Sequence, residues 1–431
     1  MGNPTAVVVV TASFAVYALI AARLERVSVT APMVFLLAGL VLGPHVTGAL
    51  EFGALQNGTI LTFTEITLAL LLFADASTIE LRQAERDAQL PARLLFIGLP
   101  LTMALGTLFA RASFPAIGWA GAALLACILA PTDAALGMAV VTDPAVPVRV
   151  RRTLNVESGL NDGIATPLVV LFLTILASEE GVEKGSWLIN AAEEIGLAVV
   201  VAIAVGIVGG TLLSVARRRG WTSPLSEQLA VLAFALLSYT GAVAIGGNGF
   251  VAAFVGGILF GAVTGRGLHH ATEFTETLSM YASFLVWFIF GALFVGSAVT
   301  GSISLVAIAY AILSLTVIRM APVAAALAGT GLRRETVAFV GWFGPRGLAS
   351  VVFTLMALET LQGSPVADTM ADVATWTILL SVFAHGVSAR PLSAAFGRHA
   401  SGWSPDAPEL QITAEPRVRR RNLGGEARPA D

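Results

Sequence analysis

The chain has 431 residues, 56% of them hydrophobic and 12% charged, and its 25 Lys and Arg against 28 Asp and Glu leave a formal net charge of −3. Soluble globular chains carry roughly 25% charged residues, so this one is depleted by about half, as a lipid solvent demands. The near-neutral balance does not suggest a nucleic-acid partner, the single cysteine, Cys127, excludes an internal disulfide, and no haem or zinc signature calls for a cofactor.

A membrane helix needs about 20 apolar residues to cross roughly 30 Å of hydrocarbon. Thirteen stretches qualify, near 5–22, 31–48, 59–77, 92–110, 116–140, 154–177, 188–215, 226–245, 249–264, 278–298, 303–327, 335–359 and 372–394. The first has no basic residue ahead of it, and Ala6 stands where a myristoylation motif wants Ser or Thr, so it reads as a retained membrane helix. Gly246-Gly247-Asn248-Gly249 marks a tight hairpin before the shortest span. From Gly402 onward the chain is rich in Pro, Arg and Glu and lacks periodicity, so 402–431 is expected to be a disordered tail on a membrane domain of 1–401. The fold class is all-α and polytopic.

Arginine placement gives an independent check on the count. With the amino terminus outside, the cytoplasmic loops carry Arg23, Arg26, Arg82, Arg86, Arg93, Arg149, Arg151, Arg152, Arg217, Arg218, Arg219, Arg266, Arg333 and Arg334. The opposite loops hold only Arg111 and Lys184. Positive charge is retained on the cytoplasmic side, so the amino terminus is expected outside and the carboxyl terminus in the cytosol.

Ionisable residues inside spans are functional candidates, because their desolvation must be repaid. They are Asp133 in the fifth span, Glu157 and Asp162 in the sixth, Arg319 in the eleventh, Arg346 in the twelfth and His385 in the thirteenth. Ser158 and Asp162, four apart, share one face of the sixth helix, and Glu157 and Asn161 share the next. By depth, Glu157 can pair with Arg319, with Arg346 as the competing partner. His385 reads as a core histidine, and Asp75 and Glu80 close the third span and read as interfacial.

Two spans carry helix breakers beside the polar residue: Pro131 before Thr132 and Asp133, and Gly344, Pro345 and Gly347 around Arg346. Broken helices expose backbone groups that are tolerated only where they line a cavity or meet a partner. The fifth and twelfth spans lie seven apart, so they run in opposite directions and suit an inverted repeat. Asp133 then matches the positive amino ends of the half-helices and Arg346 the negative carboxyl ends. This is the midplane site of a transporter.

PTDAALG followed by ESGLNDG, with the later GPRGLAS and Arg319, resembles the monovalent cation:proton antiporters of the NhaP type. The resemblance covers nearly the whole chain, from TAPMVFLLAGLVLGP to the thirteenth span. It implies that Asp162, beside Asn161, binds cation or proton, and that Asp133, Ser158 and the Thr132 carbonyl complete the coordination. Glu157 would pair with Arg319. It also implies crossing broken helices five and twelve, and a homodimer in the cell membrane, of the prokaryotic inner-membrane kind. The transport bundle would be about 92–177 and 303–394, the dimerisation part about 5–77 and 226–298, and the linking helix about 188–215. The transported species would be H+ and Na+, with Li+ or K+ as alternatives, and the chain would not be an enzyme. Pro345 before the arginine departs from the family's usual pattern. An ion channel lacks repeated filter segments here, and an intramembrane aspartyl protease, suggested by Asp133 and Asp162, lacks its usual sequence contexts.

Overall fold

A computed structural model describes residues 4–50, 57–78, 89–182 and 187–411, and among them helices supply all thirteen expected spans. The first are α1 (Pro4–Arg26), α2 (Ala31–Leu42) and α3 (Asn57–Ser77). Next come α4 (Gln89–Ser113), α5 (Gly118–Leu129 and Ala134–Val141), α6 (Val148–Glu179) and α7 (Trp187–Arg218). Then follow α8 (Pro224–Ala244), α9 (Gly249–Thr264), α10 (His270–Thr300) and α11 (Leu305–Ala326). The last are α12 (Arg334–Trp342 and Leu348–Thr360) and α13 (Pro365–Ala400).

Helix starts are set by polar caps. Ser223, Asn248, Ser304 and Ser364 accept backbone N–H groups at the starts of α8, α9, α11 and α13. Such caps satisfy amides that lipid cannot. The second span is shorter than expected: α2 stops at Leu42, and Gly43, extended before Pro44, returns its N–H to Gly39 O. A residue preceding proline is pushed out of the helical region. α11 also bends at Thr316, where φ is −113° and ψ −92°, which the apolar pattern does not signal.

The helices pack as two groups. In one, α3 lies against α8, α9 and α10, α2 against α10, and α7 against α9. In the other, α5 packs on α4 and α6, and α13 on α11 and the second half of α12. The groups meet where α3 lies on the second half of α12 and where α6 lies on α7 and α9. Phe254 of α9 sits so close to Gly163 of α6 that any Cβ there would overlap its ring.

The beginning of the expected disordered tail is ordered. Trp403 packs edge-on against Phe396 at 5.5 Å, Pro408–Leu410 form a 3-10 turn, and Glu409 is 1% exposed. Composition averages over the Pro- and Arg-rich stretch and misses these anchors. Residues 412–431, including Arg419-Arg420-Arg421, lie outside the described residues, as do Glu80, Arg82, Arg86 and Lys184.

Candidate ion-binding site

Helical structure lapses at 130–133 in α5 and at 343–347 in α12. Pro131 and Pro345 have no N–H to give a helix ladder, so the chain breaks there and its freed polar groups need other partners. The two breaks supply them to each other. Asp133 N donates to Pro345 O at 2.8 Å. Asp133 Oδ1 accepts from Leu136 N and Oδ2 from Leu348 N, both at 2.9 Å. One carboxylate thus caps the amino ends of two half-helices. Gly347 is required by this closeness, because a Cβ there would overlap the Asp133 carboxylate.

Arg346 serves the opposite ends and is fully buried. Its Nη1 donates to Ala130 O at 2.8 Å and more weakly to Pro131 O at 3.4 Å, where the first half of α5 stops. Its Nη2 reaches Ser314 O on α11 at 3.4 Å, and its backbone N donates to Ser381 Oγ on α13 at 2.6 Å. Negative charge at amino ends and positive charge at carboxyl ends is the stable pairing with helix dipoles. His385 lies within 2.8 Å of Trp342 O through Nε2, and its Nδ1 is 2.9 Å from Ser381 O and 3.2 Å from Ser381 Oγ. Both ring nitrogens are therefore engaged, and the ring anchors the carboxyl end of the first half of α12.

α6 presents Ser158 and Asn161 to the break in α5, with Asp162 next in sequence and one turn beyond Ser158. Asn161 Nδ2 donates to Thr132 Oγ1 at 2.6 Å, and Thr132 Oγ1 is 3.0 Å from Ser158 Oγ. This chain of hydrogen bonds orients the Asn161 amide and leaves its Oδ1 with no partner; Asp162 Oδ1 is likewise buried and unpartnered. Buried acceptors without donors are rare in folded proteins and call for an explanation. Asp162 is 8% exposed, and Asp133 and Ser158 9% each, so the site is nearly closed to water without being sealed.

Asp75, on α3, is partly buried. It belongs to the other helix group, and its charge interacts with those of Asp133, Asp162 and Glu276 of α10. A charge within the run LLLFADAS was the available signal. Counting residues along α3 gives depth but not which group the helix faces.

Glu157 and Arg319 form a buried ion pair, Oε1 to Nη1 at 2.6 Å, with side chains 2% and 1% exposed. Of the two partners that depth left open for Glu157, Arg319 takes it, while Arg346 binds carbonyl oxygens. The site thus offers the Asp162 carboxylate, the Ser158–Thr132 hydroxyl pair and the Asn161 amide oxygen, hard oxygen donors suited to a small cation.

Two broken helices that exchange backbone hydrogen bonds beside a buried carboxylate form the kind of arrangement in which secondary transporters build their binding sites. The family model described as sodium/hydrogen exchanger, transmembrane, matches residues 9–395, and the chain belongs to that family. It is 23% identical over 379 residues to the K(+)/H(+) antiporter NhaP2 of Shewanella baltica, covering 87% of this chain and 64% of that one. It is 29% identical over 233 residues to a Na(+)/H(+) antiporter of Schizosaccharomyces pombe, covering 52% and 49% of the respective chains. The chain therefore spans less than two thirds of the length of these relatives. The solved sodium proton antiporter MjNhaP1 of Methanocaldococcus jannaschii superimposes with a TM-score of 0.70 at 19% identity, over 90% of this chain and 97% of that one, so the fold is shared.

Proposed function

We propose that this chain exchanges a monovalent cation for H+ across the membrane by alternating access, with cation and proton competing for Asp162. The observation that carries this reading is the pair of buried, unpartnered oxygens, Asp162 Oδ1 and Asn161 Oδ1, beside the Ser158–Thr132 hydroxyls. A hard cation accepts such oxygens as ligands, and a proton satisfies the carboxylate alone. Loaded with either, the site carries the same charge. Empty and ionised, it is costly to carry through hydrocarbon, so the moving unit crosses only when loaded. Exchange follows from that cost without any further lock.

In this reading α4–α6 and α11–α13 form the transport bundle, α1–α3 and α8–α10 the dimerisation part of a homodimer, and α7 the link. Asp133 and Arg346 hold the bundle's crossing together, while Glu157 and Arg319 join α6 to α11. The amino terminus lies outside and the carboxyl terminus in the cytosol. Sodium leads as the cation and lithium or potassium are its alternatives; relatives named for K+ and for Na+ support either. An aspartyl-protease pair must share a proton around a water. Asp133 is ill placed for that, since both of its oxygens accept backbone N–H groups.

The test is reconstitution in liposomes with an internal pH dye and a preset pH gradient. Sodium, lithium and potassium are added in turn to vesicles bearing the parent or Asp162→Asn. Collapse of the gradient by one cation in the parent and none in the variant supports the exchange and identifies the ion. A parent that moves no protons, or an equally active variant, overturns it.

A further inference from the structure

The first half of α12 is nine residues long and begins at an arginine that provides no side-chain cap. Good caps are Ser, Thr, Asp or Asn, and a capping box adds a Glu or Gln three residues on, which reaches back to the N-cap N–H. Here that third residue is Thr336, which cannot supply the carboxylate. The chain supplies it from 76 residues further along: Glu409 Oε1 accepts from Arg333 N at 2.8 Å and from Thr336 Oγ1 at 2.9 Å. A carboxylate at this position also meets the positive end of the helix dipole.

The segment bearing Glu409 is itself fastened. Arg149, at the start of α6, donates through Nη1 to Pro408 O at 2.6 Å. The Trp403 ring lies under the Arg333 guanidinium at 5.1 Å and against Phe396, which in turn stacks on Phe339 of α12 at 4.2 Å. Residues 403–410 therefore join the cytoplasmic ends of α6, α12 and α13 in one clasp.

We infer that Glu409 is a positioning residue for the ion site, acting through the first half of α12. That half-helix is a lever of about 13 Å at 1.5 Å per residue, capped by Glu409 at one end and running into the break at the other. So short a helix does not hold its form alone, and its placement depends on its two anchors. At the far end, His385 holds Trp342 O and Asp133 N holds Pro345 O. Loosening the cap shifts the break, and with it the carboxylate that shapes the cation's surroundings. The functional arm of this inference rests on the antiport reading; the structural arm does not.

The experiment compares the full-length parent, Glu409→Gln and Glu409→Ala in liposomes and by amide exchange. Gln keeps the accepting oxygen, whereas Ala removes it. Expected for Ala is a rise in the cation concentration for half-maximal gradient collapse, and faster amide exchange in residues 336–342, each by about fivefold, the order set by loss of one helix cap. Gln stays within about twofold of the parent on both. A tail that only adds bulk stability would lower protein yield without moving half-saturation. Unchanged half-saturation and exchange in Ala, or Gln behaving like Ala, overturns the inference. If Glu409→Ala is not recovered folded, Thr336→Val removes one donor and carries the same comparison. A parent that moves no protons refutes the antiport reading, while the exchange arm still tests the clasp.

Discussion

Glu157→Gln is expected to destabilise the protein more than Arg319→Met does, although both break the same buried pair. The pair is nearly inaccessible to water, with oxygen and nitrogen 2.6 Å apart. Taking the charge centres as about 4 Å apart in an effective dielectric of about 20 gives about 4 kcal/mol for the interaction. Removing one member of a buried pair costs about 3–5 kcal/mol, in line with that figure. The asymmetry comes from Arg346, which interacts electrostatically with both Glu157 and Arg319. Glutamine at 157 leaves the Arg319 and Arg346 charges to repel each other without the Glu157 carboxylate to offset them. Arg319→Met leaves Glu157 with Arg346 still in range, so its cost is smaller by about 1 kcal/mol or more. The double substitution removes both uncompensated charges and recovers most of the loss. Equilibrium unfolding of the purified protein in mixed micelles, read by helical circular dichroism, orders the four proteins. Arg319→Met as damaging as Glu157→Gln, or a double variant no better than Glu157→Gln, would refute this account of the charge balance.

Two further substitutions test close approaches. Gly347→Ala places a Cβ where the Asp133 carboxylate lies, so it should uncouple the α5–α12 crossing and abolish cation-driven proton movement. Gly196→Ala on α7, where nothing lies within 4 Å, should be tolerated in the same vesicle assay. Full activity in Gly347→Ala would show that the crossing is not held as described. Gly163→Ala meets the Phe254 ring across the two helix groups and should slow transport, while Phe254→Leu in the same chain should restore most of the rate. Failure of that rescue would mean that the loss arises within α6.

The helices were legible in the sequence because lipid leaves few choices. Every span must bury its own backbone polar groups, so long apolar runs report α1 through α13 directly, and even the short α9 follows from its hairpin. Pro131 and Pro345 marked both breaks for a local reason, the missing N–H. The acids and arginines at depth stood out for an equally local one, the cost of charge in hydrocarbon. Pairing is a different matter. Depth alone left Glu157 with two possible partners, and only the packed fold assigns it Arg319 and turns Arg346 to carbonyl oxygens. Asp75 and Glu409 carry the same lesson. A residue's distance along its own helix says nothing about which neighbour that helix faces, and a capping carboxylate 76 residues from its helix has no local signature. Residue type and spacing determined that this chain spans the membrane and that charge is held inside its helical spans. Which oxygens converge there was decided by the packing of helices far apart in sequence, because electrostatics and hydrogen bonding act through space and not along the chain.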